Sequence, residues 1–286
     1  MHFLMTLNIN NKKMEFQVES FIRSLELLGG VSDYKLTLVL TGNNALKHNI
    51  KLARTRINNS FIDKRASVFF SDCHYKFHPP VRWFVKPQSE LCIFVDSDVL
   101  VCSEIKLPDP NIFSSVIAHQ SHYSMANWKK IFERFDVPFP GVLYQSNFYR
   151  QVCPYYVNFG LLIVPAEYVD QIGMYLKNNM LDIMNFLSKI RSKNFFSPQV
   201  ALTLALERLS IPKQDLPLRY NYPDVPTYDK RCPEELENMM FYHYLILKEK
   251  FSSRDAIDNF LNQHHRISNY NEAKKILGKI YKCRLL

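Results

Sequence analysis

Asp96 and Asp98 close the apolar run Leu91-Cys92-Ile93-Phe94-Val95. Two carboxylates one residue apart at a strand end repel each other and lose hydration, a cost that a divalent cation would offset. A solvated strand-end turn is the plainer reading of the same three residues. His243 stands in a second apolar run, MMFYHYLIL, as either a hydrogen-bonded core histidine or a further ligand. Two carboxylates and one imidazole, with positions left for water and substrate oxygens, suit Mn2+ and tolerate Mg2+.

Three further groupings could touch a substrate. Arg82 and Lys86 in VRWFVKP are four residues apart, a spacing that puts both cations on one helical face where they could grip a diphosphate. A solvated basic face over buried Trp83 and Phe84 fits equally. Asn158 and Gly160 interrupt the apolar YYVNFGLLIVP: glycine permits close backbone approach, and the amide offers a donor and an acceptor to a sugar hydroxyl. A ligand-free β-bulge has the same pattern. Gln199, in the first turn of SPQVALTLALERL, points an amide at a substrate or simply at solvent.

The elements that must carry these residues alternate. HFLMTLNI reads as a strand, and Met14, Val18, Phe21, Ile22, Leu25 and Leu28 recur at helical spacing until Gly29 and Gly30 stop the helix. YKLTLVLTG, a basic helix over Asn43–Asn58, ASVFF and then LCIFVDSDVLV complete a β-α-β-α-β order. Strands that are apolar without alternation are buried on both faces of a mainly parallel sheet. In such sheets ligands sit beyond the carboxyl ends of the strands, where TLN and DSD fall. Farther on come SSVIAH as a strand, a loop-rich stretch from Ser121 to Pro154, the strand YYVNFGLLIVP, a helix over Ala166–Arg191 and a helix opened by Ser197 and Pro198. The expectation is an α/β domain over residues 1–247 and a C-terminal helical appendage over 248–286.

Among 286 residues, 47% hydrophobic and 14% aromatic, there is ring area enough to require a large core, which excludes wholesale disorder. Thirty-six basic against 27 acidic residues leave a net charge of +9, open to an anionic membrane, nucleic acid or a phosphorylated substrate. The six cysteines form no C-x-x-C pair, so neither a zinc signature nor a disulfide framework is expected, and a reducing, cytoplasmic setting follows. The opening MHFLMTLNINNKK is too short in apolar residues for a signal peptide, and no run reaches the ~18 apolar residues of a membrane span. The tail NEAKKILGKIYKCRLL aligns Ile276, Leu277, Ile280 and Tyr281 beside five basic residues. That helix either rests peripherally on anionic lipid or packs on the domain.

Taken in order, TLN, VRWFVKP, IFVDSDVLV, YYVNFGLLIVP, SPQVAL with LPLRYNYP, and FYHYLI resemble the nucleotide-sugar-dependent glycosyltransferases of the GT-A fold. The likeness, over residues 3–247, is greatest to the retaining galactosyl-, glucosyl- and glycogenin-like group, family 8. It implies a Rossmann-like α/β fold and a nucleoside-diphosphate sugar as donor. It further implies that Asp96, Asp98 and His243 hold Mn2+ or Mg2+ against the donor diphosphate. Thr6, Leu7 and Asn8 would line the nucleoside pocket, and Arg82 and Lys86 would approach the diphosphate or ribose. Asn158 and Gly160 would meet the transferred sugar, Gln199 would lie beneath the anomeric carbon, and Asn221 would stand near the acceptor side. Ser197 and Pro198 precede Gln199 where the family usually has an aspartate, and Phe159 follows Asn158 where a small residue is common.

An inverting transfer would need a carboxylate base beside the acceptor. The motifs of the second half offer none clearly, Glu167 and Asp224 being the nearest, so retention is expected. The acceptor is a glycan, a lipid or a protein. A phosphatase of the haloacid dehalogenase type, with Asp96 as nucleophile and Asp98 as acid or base, is the alternative; it lacks a second acidic pair, and its aspartates normally open the domain. A nucleic-acid-binding module is disfavoured, since the basic residues are dispersed and no recognition signature is present.

Overall fold

The computed structural model describes residues 1–8, 12–41, 67–70, 79–190, 196–223, 234–235 and 238–243. The basic helix expected over Asn43–Asn58 and the appendage expected over 248–286 lie outside them. The architecture is α/β, with largely parallel strands flanked by helices. The chain divides into two compact units, each assembled from separated stretches. Strand β1 (His2–Asn8) serves both, Met1–Leu4 falling in the first unit and Met5 onward in the second.

The first unit takes in Tyr75–Phe94 and Pro108–Leu216. Its strands are β4 (Leu91–Val95), β6 (Phe113–Ile117), β9 (Val157–Pro165) and β10 (Lys213–Asp215), in the order β10-β6-β9-β4-β1. β10 runs parallel to β6, and β6 antiparallel to β9. Ser115 faces Leu162 but Ile117 faces Val157, so β9 bulges between those registers. Asn158 Oδ1 accepts the Gly160 N–H at 2.7 Å inside the bulge. A short hairpin, β7 (Tyr144–Gln145) with β8 (Val152–Cys153), lies within the stretch expected to be loop.

Three helices belong to this unit: α2 (Met125–Arg134), α3 (Ala166–Lys189) and α4 (Ser197–Arg208). α2 was not expected. Its signals were nonetheless present: Ser124 accepts the Asn127 N–H at 3.2 Å as N-cap, and Trp128, Ile131 and Phe132 recur at helical spacing and are buried. α3 buries Val169, Ile172, Leu176, Met180, Ile183 and Leu187 on one face. At Gly173 that face meets Trp83 so closely that an added Cβ would lie 2.8 Å from the Trp83 carbonyl oxygen.

The second unit takes in Met5–His74, Val95–Leu107 and Pro217–Leu286. It holds helix α1 (Lys12–Leu28) and strands β2 (Lys35–Thr41) and β3 (Ser67–Phe70), the latter two parallel and in the order β1-β2-β3. α1 buries Val18, Phe21, Ile22 and Leu25, as the spacing predicts. It stops at two glycines, of which Gly30 takes φ +64°, a left-handed backbone that glycine adopts without steric cost. A three-stranded sheet completes the unit: β11 (Tyr222–Pro223), β12 (Phe241–His243) and β5 (Val99–Val101), in that order. The run LCIFVDSDVLV is therefore two strands, broken by a turn at Ser97 and Asp98. No described helix is long and apolar enough to cross a membrane.

Candidate metal centre

Sheet register brings the distant histidine to the acids. β12 pairs antiparallel with β5 so that His243 faces Val99, the residue after Asp98. His243 Nε2 consequently lies 3.4 Å from Asp98 Oδ1, with both side chains buried. One ligating atom from each of Asp96, Asp98 and His243 falls within 4.8 Å of the others, Asp96 being half-buried. All three belong to the second unit.

Helix α1 steadies the turn between the acids. Ser97 Oγ donates to Gln17 Oε1 at 3.0 Å, and the Val101 N–H donates to Ser24 Oγ at 3.0 Å. Gln17 and Ser24 are two helical turns apart and share a face, so one side of α1 holds both the residue between the acids and the strand that follows them. Asn221 closes the far side: its Oδ1 is 3.1 Å from His243 Nδ1. The sequence had put it only near an acceptor.

The residues fit a divalent ion. Their three ligand atoms lie within 4.8 Å of one another, close enough for a single divalent cation to be shared among them. His243 Nε2 is buried, faces a carboxylate and makes no hydrogen bond among the described residues. A cation placed between that nitrogen and the carboxylates would offset their mutual repulsion. Two hard oxygen donors with one imidazole match Mn2+ or Mg2+ better than the soft-ligand metals.

The remaining expected residues are distributed between the units. In the second, Thr6 and Leu7 are buried and Asn8 half-buried at the carboxyl end of β1. Leu7 is fully buried and offers a ligand no exposed surface. In the first, Arg82 and Lys86 do not share a helical face. Pro79–Phe84 is a 3-10 helix, where a four-residue step turns about 120° past a full circle. Lys86 lies beyond its end and is exposed, whereas Arg82 is only 1% exposed. Asn158 holds the β9 bulge through its carbonyl oxygen, and Gln199 is half-buried in the first turn of α4.

Sequence reasoning missed Asp215. It ends β10 beside the carboxyl end of β6, where its Oδ1 accepts the Ile117 N–H at 3.1 Å. Burial pushes its carboxyl above the usual 3.8, partly countered by the Ile117 and Leu216 N–H bonds. Only the three-dimensional pairing of β10 with β6 distinguishes it from other acids. Glu167 is exposed on α3, and Asp224 lies outside the described residues. Cys92, Cys102 and Cys153 are free and buried, and burial pushes each thiol up to about 12. Protonated and enclosed, they are not nucleophiles.

Residues 81–210 match the family model of the Rhodobacterales glycosyltransferase domain. No curated protein sequence matches the chain. Among solved structures, the galactosyltransferase LgtC with donor and acceptor sugar analogues is similar at TM-score 0.56 and 12% identity, over 98% of this chain and 96% of its own. An active-site mutant of LgtC gives 0.54 and 10%, over 94% and 97%. The bifunctional glycosyltransferase WbbM gives 0.53 and 13%, covering 96% of this chain and 51% of WbbM. At these identities the structural likeness is one of fold.

Proposed function

We propose that this chain, of GT-A fold and with residues 81–210 matching a glycosyltransferase family model, is a glycosyltransferase that carries out a metal-dependent transfer of sugar from a nucleoside-diphosphate donor to a glycan, lipid or protein acceptor. The observation that carries this reading is the gathering of Asp96, Asp98 and His243 within 4.8 Å in one unit. The glycosyltransferase match over residues 81–210 favours this reading over the phosphatase one for the same two aspartates.

Asp96, Asp98 and His243 would hold a divalent ion, which when bound would supply Lewis-acid stabilisation to a departing diphosphate. Asp98 and His243 are buried where β5 and β12 pair, whereas Asp96 is half-buried and so keeps part of its surface open to solvent. At the end of β1, Thr6 Oγ1 is buried without a hydrogen-bond partner among the described residues, which suits a hydroxyl kept for a nucleoside. The exposed Lys86 suits an anionic ligand better than does the enclosed Arg82. In the first unit, Asn158, Gly160 and Gln199 are proposed to orient the sugar. Asn158 Oδ1 already serves Gly160, so its contribution to a sugar hydroxyl would come from the amide nitrogen. Retention is proposed because no carboxylate in the sequence motifs is identified as an acceptor-side base.

The test is a panel of nucleotide-sugar donors assayed for Mn2+-dependent hydrolysis and for thermal stabilisation, which needs no acceptor. At least one donor should be hydrolysed only with the cation and should raise the melting temperature. A panel with neither response in any member would refute the reading.

A further inference from the structure

Of the groups around the acid pair, Asn221 has no role in the metal centre so far. Its Oδ1 lies 3.1 Å from His243 Nδ1, and the two side chains are 3% and 2% exposed. An amide oxygen can only accept, so a hydrogen bond in this arrangement requires the proton on Nδ1. A neutral ring protonated at Nδ1 carries its lone pair on Nε2, the nitrogen facing Asp98 at 3.4 Å. The opposite tautomer would place N–H on Nε2 and set Nδ1 against the amide oxygen, lone pair to lone pair, at 3.1 Å; the Nδ1–H tautomer sets Nε2 against Asp98 at the longer 3.4 Å, an opposition that a bound cation would turn into ligation. The Nε2–H tautomer would also have only a 3.4 Å contact with Asp98, longer than the roughly 2.7–2.9 Å of a charge-assisted bond.

Asn221 is held firmly enough to impose this choice. Its N–H donates to the Leu218 carbonyl at 2.9 Å, closing the short 3-10 turn Leu218–Tyr220. That turn is fixed in three places: the Arg219 N–H donates to Glu235 Oε2 at 2.8 Å, the Met240 N–H to the Arg219 carbonyl at 2.9 Å, and Tyr220 OH to the Lys106 carbonyl at 2.6 Å. β11, which begins at the next residue, pairs in parallel with β12, so the asparagine and the histidine are delivered by neighbouring strands.

We propose that Asn221 is a positioning residue that locks His243 as the Nδ1–H tautomer and thereby aims the Nε2 lone pair at a bound cation. The proposal rests on the metal reading of the site. It makes Asn221 the outer partner that a metal-bound histidine commonly has, whose loss weakens metal binding about 10- to 100-fold.

The experiment is 15N NMR of the histidine ring nitrogens in the metal-free full chain, above the ordinary imidazole titration range, alongside Mn2+ affinity from electron paramagnetic resonance. Wild type, Asn221→Asp, which keeps an acceptor, and Asn221→Leu, which removes it, are compared, with His243→Gln to assign the signals. Wild type and Asn221→Asp should show protonated Nδ1 and bare Nε2. Asn221→Leu should lose that fixed state and bind Mn2+ about 10- to 100-fold more weakly. A wild-type ring protonated at Nε2, or a leucine variant that keeps both tautomer and affinity, would overturn the proposal. If the leucine variant does not fold, the wild-type tautomer alone decides the hydrogen-bond claim. The expected tautomer with no Mn2+ binding by wild type would refute the cation reading and, with it, the purpose assigned to Nε2, while establishing Asn221's hold on the ring.

Discussion

Ser97, the residue between the two aspartates, donates its hydroxyl hydrogen bond to Gln17 of helix α1 at 3.0 Å, and both side chains are 8% exposed. The acids are thus anchored through the residue that separates them. Gln17→Leu preserves bulk but removes the acceptor. A lost buried hydrogen bond of this kind costs about 1–3 kcal/mol, to be read from urea unfolding. The variant should also bind Mn2+ more weakly, because the turn that spaces the carboxylates is released. Unchanged affinity with lowered stability would make the contact purely structural.

Asp98→Asn is nearly isosteric and removes one of two neighbouring negative charges. Without metal, the variant should be at least as stable as wild type, because the repulsion between carboxylates is relieved. With Mn2+, wild type should gain stability, about 2.7 kcal/mol at a hundredfold excess over the dissociation constant, while the variant gains little and loses metal-dependent transfer. Thermal melts with and without Mn2+ check this. Equal responses would exclude Asp98 as a ligand.

The sequence made the acids and the histidine legible for different reasons. Asp96 and Asp98 were visible because charge at the end of an apolar strand is costly. His243 stood as either a core histidine or a ligand until the family resemblance assigned it to them, since nothing local marks the β12–β5 register that seats it beside Val99. Asn221 was seen as polar but not as the histidine's partner, because that depends on two short strands pairing in parallel. The Arg82 and Lys86 spacing misled because it assumed 3.6 residues per turn in a segment that winds as a 3-10 helix. α2 was hidden in a proline-flanked stretch, although its cap and apolar spacing were there to be counted.

Gly173→Ala sets two effects of opposite sign against each other. Alanine in mid-helix is favoured over glycine by about 1 kcal/mol. The new Cβ, however, would lie 2.8 Å from the Trp83 carbonyl oxygen and 3.2 Å from its Cβ. Trp83 is itself buried and stacks on Phe94 with ring centroids 4.2 Å apart, leaving it little room to retreat. Overpacking of this kind costs roughly 1–3 kcal/mol, so the steric effect should win and the melting temperature should fall. A rise would mean that α3 can slide away from the 3-10 helix without loss of packing.

Asp215→Asn tests whether the raised carboxyl is a burden to the fold. Burial is the larger influence on this group and the two N–H bonds the smaller. With the folded value above the ordinary 3.8, the group's stabilising contribution is complete below about that pH and is lost as pH rises through the folded value. Asparagine keeps an oxygen for the Ile117 N–H and carries no charge, so the variant should be the more stable at neutral pH. The difference should shrink as both carboxyls of the comparison, folded and unfolded, become protonated. Tyr144 supplies an independent readout: burial raises its phenol first, and Glu207 and Asp215 then add to the shift. Removing one of those charges should lower the pH at which it ionises, visible in an ultraviolet titration. If wild type is instead the more stable at neutral pH, the two N–H bonds outweigh burial. The carboxylate would then stand ionised at the end of β10, held by those two bonds.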